Sequence, residues 1–385
     1  MKELQIIIEA FDGSDRNGYA LATVVEVRGS TYRRPGARML ITSDNCIGSI
    51  SGGCLEADVA TRSQQVIASG EPMLVQYDTT SPDDIIWGLG LGCNGLVRVF
   101  IERLDQLNPV SFIAASWRSR QVSVLATVIS TQGNLDTGTH LMLPQDGDAV
   151  SSINNSALAA LILDDARAAL RNNQSTLKSY HLPVGNAEVF IEIIQPPVPL
   201  IIFGAGDDAK PVVRFAKELG WHVTVVDSRP AYATLKRFPL ADALVVSRPE
   251  NIGDRITIDP RTVTVVMTHN YLQDRELLKT LLPSCIQYLG VLGPKSRTER
   301  LLRELLEQGI ALTENNLSRL YAPIGIDIGA DNPEEIALAI VAEIRAVLAN
   351  RCGGLLRDRK GAIHNSITID NNSKICTKSQ WSIVA

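Results

Sequence analysis

The sequence has few cysteines and histidines, and their spacing matches no common metal or disulfide pattern. Its 385 residues include five histidines and six cysteines, at positions 46, 54, 93, 285, 352 and 376. No CxxC motif occurs, and no cluster of histidine and cysteine has zinc-ligand spacing. No motif brings His269 near Cys54 as a protease pair. The pattern argues against a disulfide framework and indicates a protein of the reducing cytoplasm.

Long apolar runs and an excess of basic residues are also missing. No run approaches the roughly 20 apolar residues that a membrane-spanning helix needs. The start, MKELQIIIEAFDGSD, is interrupted by Glu9 and Asp12 and has no cleavage signal, so we expect no signal peptide. The net charge of −5 argues against nucleic acid and anionic membranes as partners.

A proline-rich connector divides the chain. Three prolines fall within Gln195-Pro-Pro-Val-Pro199, and such a run is stiff and extended. We predict a first domain over residues 1–195, a second over 196–352, and a poorly ordered polar tail over 353–385.

The first half has the mixed pattern of an α+β domain. Leu4, Ile7, Ile8 and Phe11 recur at the spacing of an amphipathic helix. Further patterns predict helices at 55–69, ending before Gly70, and at 156–171, and strands at 20–27, 37–42, 73–78, 94–103, 122–130, 139–143 and 187–194.

The second half alternates regularly between strand and helix patterns. Its short strands are almost continuously apolar, which is typical of a parallel sheet buried on both faces. We predict a Rossmann-like, doubly wound α/β domain whose closing helix starts at Asn332-Pro333. The predicted strands cover residues 200–206, 223–229, 243–248, 262–269 and 286–293, with helices after 206 and near 274–282 and 297–307.

A glycine turn follows the first strand of this half. Gly204-Ala-Gly206-Asp-Asp-Ala209 has the form GxGxxA, which allows a phosphate to approach a helix N-terminus. Asp227 ends the second strand, where an acid can hold a ribose diol. The turn is compatible with NAD(P) or another nucleotide, and equally with a purely structural turn.

Two features bear on that choice. Asp207 and Asp208 put negative charge where a pyrophosphate would sit, which disfavours a dinucleotide. His269 ends the fourth strand, at the sheet edge where ligands usually bind. It is a candidate ligand-binding residue, although a lone histidine is more often structural.

A second candidate anion site lies at residues 293–297. Ser296 and Glu299 have capping-box spacing, so a helix is predicted to begin there. Lys295 and Arg297 beside a helix N-terminus would suit a phosphate. The alternative is a solvated basic helix start.

The first half contains an arginine-rich loop. Arg28, Arg33, Arg34 and Arg38 fall within eleven residues, between glycine, serine and proline. Guanidinium groups bind phosphate and carboxylate through two parallel hydrogen bonds. The loop is therefore a candidate phosphate site or, alternatively, a solvated surface hairpin.

Two cysteines lie in glycine-rich stretches. Cys54 follows Gly52-Gly53 and precedes the helix predicted from 55, and Cys93 lies in Gly88-Leu-Gly-Leu-Gly-Cys93-Asn-Gly95. A thiol before a helix ionises more readily, and thiolates suit soft metals and sulfur chemistry. A small buried residue is the alternative for either cysteine alone.

Taken together, these elements resemble the XdhC/CoxI family of xanthine dehydrogenase accessory proteins. The matching segments cover nearly the whole chain to about residue 352. They are Gly29-Ser30, the stretch 33–40, Gly48-Ser-Ile-Ser-Gly-Gly-Cys54-Leu-Glu56, Gly90-Leu-Gly-Cys93, Gly204-Ala-Gly206, Asp227-Ser-Arg229, Arg237-Phe-Pro239 with Ala241-Asp242, Thr268-His269, Gly325-Ile-Asp-Ile-Gly329-Ala and Pro333-Glu-Glu335-Ile-Ala.

The resemblance implies a cytoplasmic factor, more a chaperone than an enzyme, that binds molybdenum cofactor (molybdopterin). It implies help with sulfuration of the cofactor by a cysteine desulfurase, delivery to an apo molybdenum hydroxylase of the xanthine dehydrogenase type, and a homodimer. The rivals are an NAD(P)-dependent oxidoreductase and a nucleotide-sensing regulator. We assign Cys54 and Cys93 to the molybdenum end, as metal contact or sulfur relay. Cofactor contacts are assigned to Arg33, Arg34, Arg38, Gly52, Gly53 and Glu56, and further ligand contacts to Gly204, Gly206, Asp227, His269, Lys295 and Arg297.

Two positions depart from the family pattern. Asp207 stands where the family often has histidine, so any role of that histidine is lost. Asn94 stands where the family has a glycine after Cys93, a mild change for which we expect an effect on loop conformation.

Overall fold

The computed structural model describes residues 2–12, 18–29, 31–78, 95–104, 108–360 and 363. Contacts between Cα atoms divide the chain into two units, which comprise chiefly Glu3–Pro196 and Pro197–Gly361. Of the predicted tail, the structure describes residues 353–360, with a 3-10 turn at Leu356–Asp358. Apart from Ile363, the rest of that tail lies outside the described residues.

The first unit contains two antiparallel sheets. The strands of the first sheet are β1 (Ala20–Gly29), β2 (Arg38–Ile41), β3 (Cys46–Gly48), β4 (Met73–Asp78) and β5 (Gly95–Arg103). Their order is β3-β2-β1-β5-β4, so β1 is central, and every neighbouring pair is antiparallel. A register shift between Val24 and Glu26 marks a bulge in β1.

The second sheet of this unit packs against the first. Its strands are β6 (Ser123–Gly133), β7 (His140–Pro144), β8 (Val150–Ser151), β9 (Thr176–Leu182) and β10 (Gly185–Ile194), in the order β8-β7-β6-β10-β9. Val25 and Phe100 of the first sheet join Ile129 and Phe190 of the second in one buried apolar cluster. Full burial of such side chains stabilises a fold by about 1.5–3 kcal/mol each.

Helices cover both sheets. They are α1 (Lys2–Asp12), α2 (Glu56–Ser69), α3 (Pro109–Ser119) and α4 (Ser156–Asn172). Val59 and Val66 of α2 pack on the first sheet, and Leu158 and Ile162 of α4 pack on the second. The helix predicted from the apolar stripe is α1, with Ile7, Ile8 and Phe11 buried. The predicted α+β character of this half is confirmed.

The second unit is a doubly wound α/β fold, as predicted. Its strands are β11 (Pro199–Phe203), β12 (His222–Asp227), β13 (Ala243–Val246), β14 (Val263–Val266), β15 (Tyr288–Val291) and β16 (Leu320–Tyr321). All pairs are parallel in the order β13-β12-β11-β14-β15-β16, which is the Rossmann order. Its helices are α5 (Ala209–Glu218), α6 (Ile252–Arg255), α7 (Tyr271–Leu281), α8 (Lys295–Glu307), α9 (Glu314–Leu317) and α10 (Pro333–Leu348).

Helix ends in this unit show one prediction confirmed and one wrong. Asn332 caps α10, since its side chain accepts a hydrogen bond from the Glu335 amide, and Pro333 is the first helical residue. The predicted cap at Ser296 is wrong. Helix α8 begins at Lys295 with Pro294 at the cap position and no side-chain capping bond, because proline's fixed backbone angle suits a helix start.

Candidate functional site

Two loops of the first unit leave its first sheet at the same end. Residues at the end of β1 pair with the start of β5, with Gly29 opposite Gly95, and Met39 near the start of β2 pairs with Gly48 at the end of β3. Because these strands are antiparallel, the arginine loop after β1 and the loop after β3 emerge side by side. The register therefore brings the arginine and cysteine motifs together.

Strand β4 ends and β5 begins at this same end of the sheet. Asp78, the last residue of β4, pairs with Leu96, and Gly95 begins β5. Residues 79–94, and with them the predicted site residue Cys93, lie outside the described residues.

A tight turn fixes the arginine loop. The Ala37 amide donates to the Arg34 carbonyl over 3.0 Å, with Pro35 second and Gly36 third at φ +91°. These features define a type II turn, in which glycine accommodates the positive φ. The Gly36 amide also donates to the Val24 carbonyl over 2.8 Å. The turn is thus held against the central strand.

Arg38 is not available to a ligand in this structure. Its side chain is 4% exposed and forms a two-pronged ion pair with Glu192 of the second sheet. A Cβ atom at Gly36 would come within 2.6 Å of a Glu192 carboxylate oxygen, so the turn packs closely on this pair. A desolvated guanidinium requires a partner, and in this structure the partner of Arg38, which was predicted to hold a phosphate, is Glu192.

The other three arginines differ in their partners. Arg28 pairs with Glu26 over 2.7 Å, and Arg33 pairs with Glu3. The half-buried side chain of Arg34 makes no hydrogen bond or ion pair within the described part of the chain. Burial lowers the pKa of Arg34, yet an arginine stays charged at neutral pH. Arg34 is thus the cation of this loop best placed to accept an anion.

Glu56 organises the loop after β3. Its carboxylate accepts hydrogen bonds from the Ser49 hydroxyl over 3.0 Å and from the Ser51 amide over 2.9 Å, and also from the Ser51 hydroxyl. Burial raises the pKa of Glu56, but the bonds from Ser51 and Ser49 outweigh it and leave the pKa below its ordinary value. In this structure the carboxylate predicted to contact the cofactor holds its own loop.

The Ser51 hydroxyl is the second organiser, and the sequence interpretation did not single it out. It lies 3.1 Å from the amide nitrogens of Gly53, Cys54 and Leu55, which all donate to it. The Cys54 thiol also donates to it over 3.3 Å. Ser51 is 6% exposed. The hydroxyl therefore fixes both the backbone and the sulfur of Cys54.

Cys54 lies two residues before α2 and is half-buried against the apolar core under that helix. The neighbouring Gly52 and Gly53 are exposed. Gly53 has φ +108° and no heavy atom within 4 Å of an added Cβ, whereas Gly52 lies beneath the Tyr32 ring. Gly53, the residue before Cys54 in the chain, therefore faces open space.

Among the described residues, no three side chains of the metal-ligating types form a cluster. No helix in that same part of the chain is long and apolar enough to cross a membrane.

The glycine turn of the second unit is closely packed. Gly204 has φ +115°, and an added Cβ would lie 2.4 Å from the Met267 carbonyl oxygen. The Ala205 amide donates to the Asp227 carboxylate over 2.8 Å, and the Arg229 guanidinium donates to both of its oxygens. Burial raises the pKa of Asp227, but these partners lower it more, so the carboxylate stays charged. The carboxylate that was predicted to bind a ribose therefore already has hydrogen-bond partners within the fold.

The remaining polar groups of this turn are also paired. Asp208 accepts a 2.6 Å hydrogen bond from His269, and Asp207 pairs with Lys210 over 2.6 Å and with Arg237 over 3.1 Å. The cavity over the strand ends, lined in part by Gly204 and Asp227, has a volume of about 10 Å³. That is room for about one water molecule, whereas ligand pockets usually measure about 300–1,000 Å³.

The second candidate anion site is likewise engaged. Arg297 donates over 2.6 Å to Asp274, which is 1% exposed. Lys295, at the start of α8, also has a partner. Neither cation is left unpaired for a phosphate in this structure.

Sequence comparison covers both units. A profile described as the XdhC and CoxI family matches residues 14–78 and 116–181, and one described as the XdhC Rossmann domain matches residues 200–344. Fold and loops define a class of two-unit proteins in which a cysteine-bearing α+β unit precedes a Rossmann unit. The chain belongs to the XdhC and CoxI family, and the predicted resemblance is confirmed.

Three related proteins align with this chain over most of its length. A Bacillus subtilis (strain 168) protein, named as a probable xanthine dehydrogenase subunit, is 35% identical over 86% of this chain and 93% of its own length. "Molybdenum cofactor insertion chaperone PaoD" of Escherichia coli (strain K12) is 23% identical over 86% of this chain and 83% of its own. A crystal structure described as a xanthine dehydrogenase from Bacillus halodurans is 30% identical with a TM-score of 0.75, covering 91% of this chain and 97% of that one.

Proposed function

We propose that this protein binds molybdenum cofactor and inserts it into an apo molybdenum hydroxylase of the xanthine dehydrogenase type. Two relatives support the proposal by name, since one is called a molybdenum cofactor insertion chaperone and the other a probable xanthine dehydrogenase subunit. The cofactor is cargo in this scheme, so the protein has to hold it and then release it.

The observation that carries the proposal is the meeting of two loops at one end of the first sheet. The cargo has a phosphate at one end and molybdenum with dithiolene sulfurs at the other. Arg34 supplies an unpaired guanidinium among the described residues, and Cys54 supplies a sulfur, a ligand type that suits molybdenum. Gly53, with nothing within 4 Å of an added Cβ, leaves room for a bulky ligand to approach the backbone.

The chain's own residues have distinct roles in this proposal. Arg34 binds the phosphate, Cys54 contacts the metal or carries sulfur, and Ser51 with Glu56 orients the thiol. As a sulfur carrier, the Cys54 thiolate would take the terminal sulfur of a cysteine desulfurase persulfide and release the desulfurase thiolate. Cys93, which lies outside the described residues, is proposed as a second contact at the molybdenum end. We also propose that the protein forms a homodimer and acts in the cytoplasm.

The test is cofactor retention. Purified from cells that make the cofactor, the Cys54→Ala variant should carry at least about tenfold less molybdenum and oxidised pterin, which corresponds to about 1.4 kcal/mol. Cys285→Ala is the matched control, since it removes an exposed thiol from the second unit. Equal retention by the Cys54 variant, with equal activation of a client enzyme, would remove the thiol from the proposal.

The rival function is nucleotide binding by the second unit, as an NAD(P)-dependent oxidoreductase or a sensor. The Rossmann strand order favours it, but Asp227 is already bound by Ala205 and Arg229. Calorimetry of the full chain with NAD(P)H discriminates the two. Tight binding, with no molybdenum or pterin retained from cofactor-producing cells, would favour the rival.

A further inference from the structure

Tyr32 of the arginine loop is unusually exposed for a large aromatic residue. Its side chain is 70% exposed. Its hydroxyl forms no hydrogen bond within the described residues. An aromatic side chain can bury about 150–250 Å² of surface, so the fold gains little from this ring. Packing of the protein itself does not account for its position.

One face of the ring is supported by the other loop. A Cβ atom added to Gly52 would lie 3.7 Å from Cγ of Tyr32 and 3.9 and 4.0 Å from its two Cδ atoms. Nearly equal distances to these three atoms mean that Gly52 lies under the face of the ring, not at its edge. The ring bridges the two loops, and its exposure leaves room for a second flat group.

The position of the ring relates it to the two groups already assigned to the cargo. Arg34 follows Tyr32 by two residues, and Cys54 follows Gly52 by two residues. The cargo has three chemically different parts, which are a phosphate, a fused flat pterin and a metal dithiolene. A cation and a sulfur suit the first and the last, and an exposed aromatic ring on the same two loops suits the flat middle part.

We propose that Tyr32 is the stacking platform for the pterin ring system of the cargo, on the face of the tyrosine opposite Gly52. This inference rests on the function proposed above. Offset stacking uses the ring and not the hydroxyl. A phenylalanine at position 32 should therefore preserve pterin binding, whereas an aliphatic side chain should weaken it.

The experiment measures binding of neopterin monophosphate, a pterin phosphate without metal, to the full chain by equilibrium dialysis. Tyr32→Ala should raise the Kd about tenfold, a change equal to about 1.4 kcal/mol, and Tyr32→Phe should leave it within about twofold of wild type. Tyr232→Ala, which removes an exposed tyrosine of the second unit, is the matched control and should change nothing. Inorganic phosphate as the second probe should bind Tyr32→Ala as it binds wild type.

Three results would overturn the stacking role: no binding of the probe by wild type, equal binding by Tyr32→Ala, or equal losses in the Phe and Ala variants. An unchanged thermal unfolding midpoint of Tyr32→Ala shows that a loss of binding is not a loss of folding. The proposed function is tested separately, by measuring the molybdenum that the wild-type protein retains. Retention without any effect of Tyr32 leaves that function standing and removes the platform.

Discussion

The two units differ in whether any polar group is left without a partner at the places where ligands were expected. At the Rossmann turn, Asp207, Asp208 and Asp227 all have partners, and His269 is one of these partners. At the end of the first sheet, by contrast, Tyr32 and the side chain of Arg34 have no polar partner among the described residues.

The difference teaches that a ligand-binding fold and a ligand-ready site are separate properties. The second unit has the strand order of dinucleotide-binding proteins, yet the charged groups at its glycine turn pair with one another. In the first unit, Ser51 and Glu56 accept hydrogen bonds from within the loop after β3. These bonds shape the loop and leave its outer surface open. Unpaired groups at a site, and not the fold alone, therefore indicate where a ligand binds.

The largest expected effect concerns the scaffold under the open loops. Arg38→Ala should lower the free energy of unfolding of the first unit by about 3–5 kcal/mol, because Glu192 is left buried without its partner. Urea titration read by hydrogen exchange reports each unit separately. Arg62→Ala, which breaks an exposed pair with Asp58, is the control and should cost less than about 1 kcal/mol. Equal losses of stability in the two variants would show that the Arg38–Glu192 pair is exposed to solvent.

The next effect concerns the closed turn of the second unit. Gly204→Ala should destabilise that unit by about 2–4 kcal/mol, because the new Cβ meets a backbone carbonyl at 2.4 Å in a left-handed conformation. Gly253→Ala is the control, since nothing lies within 4 Å of its Cβ, and should be nearly neutral. Separate thermal unfolding of the two variants measures the difference. A neutral Gly204→Ala would mean that the turn can open.

The smallest effect sharpens the role of Glu56. Because folding lowers the pKa of Glu56 below its ordinary value of 4.5, its ionised form stabilises the fold above that pH, and the stabilisation is lost as pH falls through the folded value. Glu56→Gln should cost about 1–3 kcal/mol at pH 7, since five donors face the lost carboxylate.

The cost of Glu56→Gln should shrink as the pH is lowered below 4.5. Glu71→Gln, which removes an exposed carboxylate, should change the free energy of unfolding by less than about 0.5 kcal/mol at either pH. Urea titrations at pH 7 and at pH 4 provide the measurement. A cost independent of pH would assign Glu56 a packing role alone.

Much of the fold could be predicted because its signals are local. The stripe of α1, the glycine turn after β11 and the Asn332 cap of α10 all depend on residues a few positions apart. Helix α3 was missed although Asn108 caps it and Pro109 begins it. Its β-branched and aromatic residues weaken the helical pattern.

The site was predictable only in part. The arginine and cysteine motifs were found, but Arg38 was assigned to a ligand because its partner lies 154 residues away. No local sequence pattern predicts an ion pair between residues so far apart in the chain. Ser51 lies in the cysteine motif and Tyr32 in the arginine-rich loop, but neither was predicted to have a role, since a serine before a helix and an aromatic in a loop are common. Their roles depend on distances that spacing does not contain.

The bonds between Ser49, Ser51 and Glu56 also bear on how the protein folds. They join residues that are at most seven positions apart in the sequence, so little chain entropy is lost in forming them. A loop closed by such near neighbours can form before distant strands have paired, whereas the Arg38–Glu192 pair has to wait for the two sheets to meet. The segment that presents the thiol is therefore expected to reach its shape early, and the support beneath it late.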